Sequence, residues 1–145
     1  MQRFIHWVFT TTVVGMLAII PLAGCEKTEP ESHAVHPATL EPVGNTGLTR
    51  ITLTQQAADR LGVQMDVIAE QDGKLIAPYS ALLYDADGGT WVYVNLQGLA
   101  FKRQAVAVDR IDGETMYLSK GPSAGSKVVS RGAAELFGAE FEVGH

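Results

Sequence analysis

From Thr49 onward, apolar and polar residues alternate in short runs, the period of two expected of strands that bury one face. Ile51 and Leu53 open the pattern. The stretch Thr54-Gln55-Gln56-Ala57-Ala58-Asp59-Arg60-Leu61-Gly62 interrupts it and predicts a short helix, with Thr54 as N-cap and Gly62 as C-cap, before Val63, Met65 and Val67 alternate again. Gly73 and Pro78 punctuate the next segment, and the runs Ser80 to Tyr84 and Trp91 to Asn95 flank a polar turn, Asp85-Ala86-Asp87-Gly88-Gly89, which predicts a hairpin. Phe101 to Val108 alternates, Ile111 to Glu114 turns, and Thr115 to Leu118 answers as another strand. Lys127 to Ser130 reads as the last strand, followed by a closing turn or short helix over Arg131 to Leu136. The expected fold is mainly β: a small sandwich or barrel over residues 49–145, with one short helix near its start.

Upstream the pattern changes twice. Arg3 precedes a run from Phe4 to Leu22 that is nearly free of charge, and small residues, Ala23-Gly24, follow it; this is the layout of an export signal over residues 1–24. The run is also long enough to span a bilayer. From Glu26 to Leu48 the composition turns to Glu, Thr, Pro, Ser, His, Asn and Gly, with too few large apolar residues to offset the entropy of ordering, so residues 25–48 are expected to be a flexible tether.

Composition narrows the possible functions. A formal net charge of −5 and a sequence pI near 5.3 argue against a nucleic-acid partner, which needs a basic face. With 46% hydrophobic residues the domain can build a core, and with one cysteine, Cys25, that core holds without an internal disulfide.

Candidate chemistry is sparse. Ser80, Ser119, Ser123, Ser126 and Ser130 suit strands and turns, and the only histidine after Thr49 is His145, so a Ser-His-Asp triad would need the chain terminus. The carboxylate pairs Asp109/Asp112 and Glu140/Glu142 read as a turn and a solvated tail. Asp85-Ala86-Asp87-Gly88 has the start of a calcium loop, but its twelfth position is Leu96 where a glutamate ligand belongs, so a plain turn is expected. His33 and His36 would share one face of a helix, yet Pro37 disfavours helix there, and both are expected to be solvated. Neither an enzyme, a cofactor nor a metal site is expected.

The four residues Leu22-Ala23-Gly24-Cys25 resemble a bacterial lipobox. That resemblance implies cleavage before Cys25, lipid attachment to its thiol and acylation of the new N-terminus. More than one acyl chain makes such an anchor effectively permanent. Glu26, rather than aspartate, after the cysteine favours the outer membrane over the inner one.

Further along, Pro78-Tyr79-Ser80-Ala81-Leu82-Leu83-Tyr84, Trp91-Val92-Tyr93-Val94, Arg103 through Val106 to Val108, and Gly121 through Ser126-Lys127-Val128-Val129 to Leu136 resemble, in order and spacing, the C-terminal part of the periplasmic adaptors of tripartite efflux pumps. These are the membrane fusion proteins that pair with resistance-nodulation-division transporters. Ile51-Thr52-Leu53-Thr54 with Arg60-Leu61-Gly62-Val63-Gln64 resembles the opening segment of the heavy-metal-type adaptors.

In that family the two segments pair into one membrane-proximal β-domain, which contacts the transporter. The lipoyl domain, helical hairpin and barrel that lie between them in a complete adaptor are replaced here by Ile68 to Ala77, and there is no heptad run. Where the family often has Gly-Asp, this chain has Gly125-Ser126. The resemblance implies a reduced adaptor or accessory protein held on the periplasmic side by Cys25, docking on the inner-membrane transporter or on a full-length adaptor. The alternative is a lipoprotein that captures a metal ion or small ligand, with His33, His36, Met65 and Met116 as soft ligands. Trp91 and Tyr93 are expected in the core, as strand aromatics usually are.

Overall fold

The alternating stretches form strands, and a computed structural model describes them over residues 36–141. In chain order the elements are β1 (Ala38–Pro42), β2 (Thr49–Leu53), α1 (Gln55–Leu61), β3 (Gln64–Val67), β4 (Ala69–Gln71), β5 (Lys74–Pro78), a 3₁₀ turn (Tyr79–Ala81), β6 (Leu83–Tyr84), β7 (Thr90–Gln97), β8 (Ala100–Ala105), β9 (Ala107–Asp112), β10 (Thr115–Lys120), β11 (Lys127–Arg131) and α2 (Ala133–Glu140). The fold is mainly β, as expected. Cys25, the export signal, His33, Glu142 and His145 lie outside the described residues.

One sheet runs β1-β2-β8-β7-β11-β3 with β6 paired to β7, and a second runs β4-β5-β10-β9; every pairing is antiparallel. Both sheets keep free edges, so the described residues form a sandwich and not the closed barrel also considered. Period-two alternation sorts the side chains of the large sheet. Ile51, Leu53, Tyr93, Phe101 and Val129 face the two helices and pack with Ala57, Ala58, Ala133 and Leu136. Val92 and Val128 face the small sheet and pack with Ile68, Ala77, Val106, Met116 and Leu118. The central strands β7 and β11 are buried on both faces, and so they carry unbroken apolar runs.

Two single residues carry the chain between the sheets. Ile68 joins β3 to β4 and Val106 joins β8 to β9, both with buried side chains. Strands that switch sheets make the corners of a sandwich, and the ladder must break there. The orphaned backbone groups find other partners. Ile68 N–H donates to the Ser126 carbonyl (2.8 Å), Gly125 N–H donates to the Ile68 carbonyl (2.8 Å), and Val106 N–H donates to the Thr90 carbonyl (2.9 Å). The run Phe101 to Val108, read as one strand, is therefore divided between the two sheets.

Local signals hold where the structure depends on neighbours in sequence. Thr54 caps α1 by accepting from Ala57 N–H (3.2 Å), and Gly62 ends it in the left-handed region at φ 62°. Asp72 and Gly73 turn β4 into β5 with φ of 50° and 72°, as a tight two-residue hairpin requires.

The tether expectation needs correction at its C-terminal end. Ala38–Pro42 pairs with Thr49–Leu53 as the edge strand of the large sheet, and Ala38 and Leu40 pack against the core. Two modest apolar side chains were masked by polar and turn-forming neighbours, and the pairing that stabilises them comes from β2.

Candidate functional site

Tyr93 and Arg103 stand directly opposite each other on β7 and β8, so a shared register sends both side chains to the helix face. There they meet Glu140 from the last turn of α2. Tyr93 Oη donates to Glu140 Oε2 at 2.6 Å, and Arg103 Nε lies 2.8 Å from the same oxygen, with side-chain exposures of 8% for Arg103 and 2% for Glu140. The Nε–H does not point at that oxygen, so the Arg103–Glu140 contact is an ion pair and not an aligned hydrogen bond. Burial, with the Glu140 hydrogen bond and charge adding to it, raises the Tyr93 pKa well above its ordinary 10.0.

Glu140 was expected in a solvated tail with Glu142. The structure buries it instead, because Ala133, Leu136, Phe137 and Glu140 recur at i, i+3, i+4 and i+7 and line the inner face of α2. That spacing was the available signal.

The guanidinium is sandwiched as well as paired. Its central carbon is 4.7 Å from the centroid of Trp91, 4.8 Å from that of Phe141 and 5.7 Å from that of Phe137. Trp91 comes from β7, diagonal to Arg103 across the ladder, and the phenylalanines come from α2 and its C-terminal end. Among the described residues, Arg103 Nε is the one buried side-chain nitrogen or oxygen without a hydrogen-bond partner.

Trp91 is itself held in place. Its indole N–H donates to Asp85 Oδ2 (2.7 Å), while Asp85 Oδ1 accepts from Gly89 N–H (2.6 Å) and Asp87 N–H (3.0 Å). The indole bond first, then the Gly89 amide, hold the Asp85 carboxyl below its ordinary 3.8. The Asp85 stretch is thus a hydrogen-bonded turn that fixes an aromatic wall. Gly89 is required there, since a Cβ at that position would lie 2.6 Å from Asp85 Oδ2 and 2.9 Å from Trp91 Nε1.

These groups border a cleft of about 490 Å³. Trp91, Phe137 and Phe141 form its apolar wall, Arg103 its floor, Asp85 and Asp87 one lip, and the β1–β2 loop at Leu48 the other. Such a cleft can take an apolar group and offer hydrogen-bond donors to an oxygen on it.

The remaining candidates do not converge. Met116 is wholly buried between the sheets, Met65 lies 38% exposed on edge strand β3, and His36 is exposed. Among the described residues, no group of three or more His, Cys, Asp or Glu side chains could hold a metal ion, and no helix is long and apolar enough to cross a membrane. Tyr93 lies in the core as expected, whereas Trp91 is half-buried at the cleft. Of Asp109 and Asp112, the first pairs with Lys74 (3.2 Å) and the second with Arg110 (3.4 Å), all at exposed positions.

Compared with models of protein families, with curated proteins and with solved structures, the chain matches none.

Proposed function

We propose that this chain is a lipid-anchored docking protein of a resistance-nodulation-division efflux system, attached at Cys25 on the periplasmic side of a bacterial membrane. Its β-domain binds the inner-membrane transporter or a full-length adaptor and carries out no catalysis. One observation supports this reading above others. The opening strands β2 and β3 pair with β8 and β11 of the closing segment, the same two regions whose sequences resemble the paired halves of the adaptor's membrane-proximal domain. Ten residues of β4 and β5 hairpin, residues 68–77, stand where a complete adaptor has its long insertion. A domain of this kind reaches a neighbour at the membrane, and among the described residues there is no arm for a distant channel.

The test is in-cell crosslinking of the tagged full-length chain, then detergent purification and mass spectrometry. Recovery of a transporter of this class or of a complete adaptor, lost when residues 36–141 are deleted behind an intact Cys25, is the expected result. A lipidated, folded protein that brings down no pump component refutes it. The anchor has its own test: Cys25→Ser should abolish lipid labelling and leave the precursor uncut, and continued labelling would place the lipid elsewhere.

A second reading, capture of a small ligand, is favoured by the cleft, whose volume falls in the range of ligand pockets. The scattered positions of Met65, Met116 and His36 favour an organic ligand over a metal ion in that role.

A further inference from the structure

The cleft combines three features that together specify an occupant. Its wall is aromatic, with Phe141 49% exposed at the mouth although it is a large apolar side chain. Its floor is Arg103, only 6% exposed, whose guanidinium lines the cleft and whose Nε is buried without a hydrogen-bond partner. The terminal amino groups are not among the buried unpartnered atoms, so in the open cleft they donate to water, and a ligand oxygen there would take the place of that water. Its lip is acidic, since Asp85 and Asp87 lie there and Glu140 already balances Arg103.

These features sort the possible ligands by charge. A free carboxylate could bond to Arg103 but would sit in a field of three acidic groups against one basic one. A neutral carbonyl oxygen accepts from the guanidinium without that repulsion. A positive charge a few ångströms from that carbonyl would be attracted to the Asp87 lip. An apolar side chain, a main-chain carbonyl and a basic neighbour occur together in a peptide.

We infer that this cleft is a peptide-docking site for a partner segment in which an apolar side chain is followed by a basic residue. The apolar side chain lies on Trp91, Phe137 and Phe141, its carbonyl accepts from Arg103, and the basic residue faces Asp85 and Asp87. The inference rests on the docking function proposed above and locates where on the domain the partner binds.

The experiment uses the detergent-solubilised protein expressed with Trp7→Phe, so that Trp91 is the sole indole whether or not the segment before Cys25 has been removed. It is titrated with the N-acetylated dipeptide amides phenylalanyl-lysine, phenylalanyl-glutamine and phenylalanyl-glutamate, and with phenethylamine, which has the ring and the charge but no carbonyl. Saturable change in Trp91 emission is expected, with affinity falling in the order lysine, glutamine, glutamate by about two- to fivefold per step, as for exposed charge pairs. Asp87→Asn should reduce the lysine peptide to the glutamine level. Phe141→Ala should weaken all three peptides, and phenethylamine should bind more weakly than the lysine peptide.

Equal or reversed order among the peptides, no saturable change with any of them, or a response unaffected by Phe141→Ala overturns the inference. Phenethylamine binding as tightly as the lysine peptide also overturns it and marks a site for free organic cations. Crosslinking separates this from the broader function: a pump component still recovered from Asp87→Asn and Phe141→Ala chains, with no peptide binding, leaves docking in place and moves it to another surface.

Discussion

Tyr93→Phe removes one oxygen from the middle of the domain and nothing else. The hydroxyl it deletes is fully buried and donates to Glu140 Oε2 over 2.6 Å. A hydrogen bond to a charged acceptor contributes about 1.5–3 kcal/mol, so near neutral pH the variant should be less stable by that amount. The difference should depend on pH in a defined direction. In the folded chain the Tyr93 pKa is raised above its ordinary 10.0, by burial first and by Glu140 second, so above that pH the unfolded chain loses a proton that the folded chain keeps. Fewer protons bound in the unfolded state means stability falls as pH rises, by about 1.4 kcal/mol per pH unit for one group. The variant has no such proton to lose.

The stability gap should therefore be constant below about pH 9 and shrink above about pH 10, closing one to two units higher, at roughly pH 11–12. The assay is chemical denaturation of the compact unit Ala34–His145, followed by the fluorescence of Trp91 at a series of pH values. Ionisations common to both proteins cancel in the difference. A gap that stays constant through about pH 12, or a variant as stable as the parent near neutrality, would refute the buried Tyr93–Glu140 bond.

Two further substitutions test other parts of the architecture. Ile68→Ala removes a wholly buried side chain at the corner between the sheets and should cost about 2–5 kcal/mol in chemical denaturation; a loss below about 1 kcal/mol would mean that the corner is not packed as described. Gly89→Ala places a Cβ against both partners of the Asp85–Trp91 bond and should shift Trp91 emission to longer wavelength as the indole N–H is released to solvent. Unchanged emission would show that the turn does not hold the indole.

What was legible in the sequence was local. Thr54 and Gly62 bound α1 because a cap is satisfied by backbone groups within a few residues of it. The alternation of Ile51 and Leu53, of Phe101 and Arg103, and of Met116 and Leu118 reports a strand with one face inward, whatever the partner strand is. The runs around Trp91 and Val128 read as strands, and only the packing showed that both faces are covered. The mainly β class follows from these features together, whereas the closing segment, open to a turn or a short helix in the sequence, became the helix Ala133–Glu140 only in the fold.

The site was not legible, because its members come from distant parts of the chain. Tyr93 and Arg103 meet through the β7–β8 register, and Glu140 joins them because α2 packs back over the sheet; nothing near Glu140 in sequence marks the partners that justify its burial. Without those partners a glutamate near a chain end belongs in water, which is why the solvated-tail expectation was reasonable and failed. The strand at Ala38–Pro42 has the same cause, since its hydrogen bonds are supplied by β2 and its burial by the core. Short-range hydrogen bonds and side-chain periodicity are written into neighbouring residues and can be read there. Strand order, sheet switching at Ile68 and Val106, and the pairing of a buried charge depend on which surfaces come together, and only the folded chain decides that.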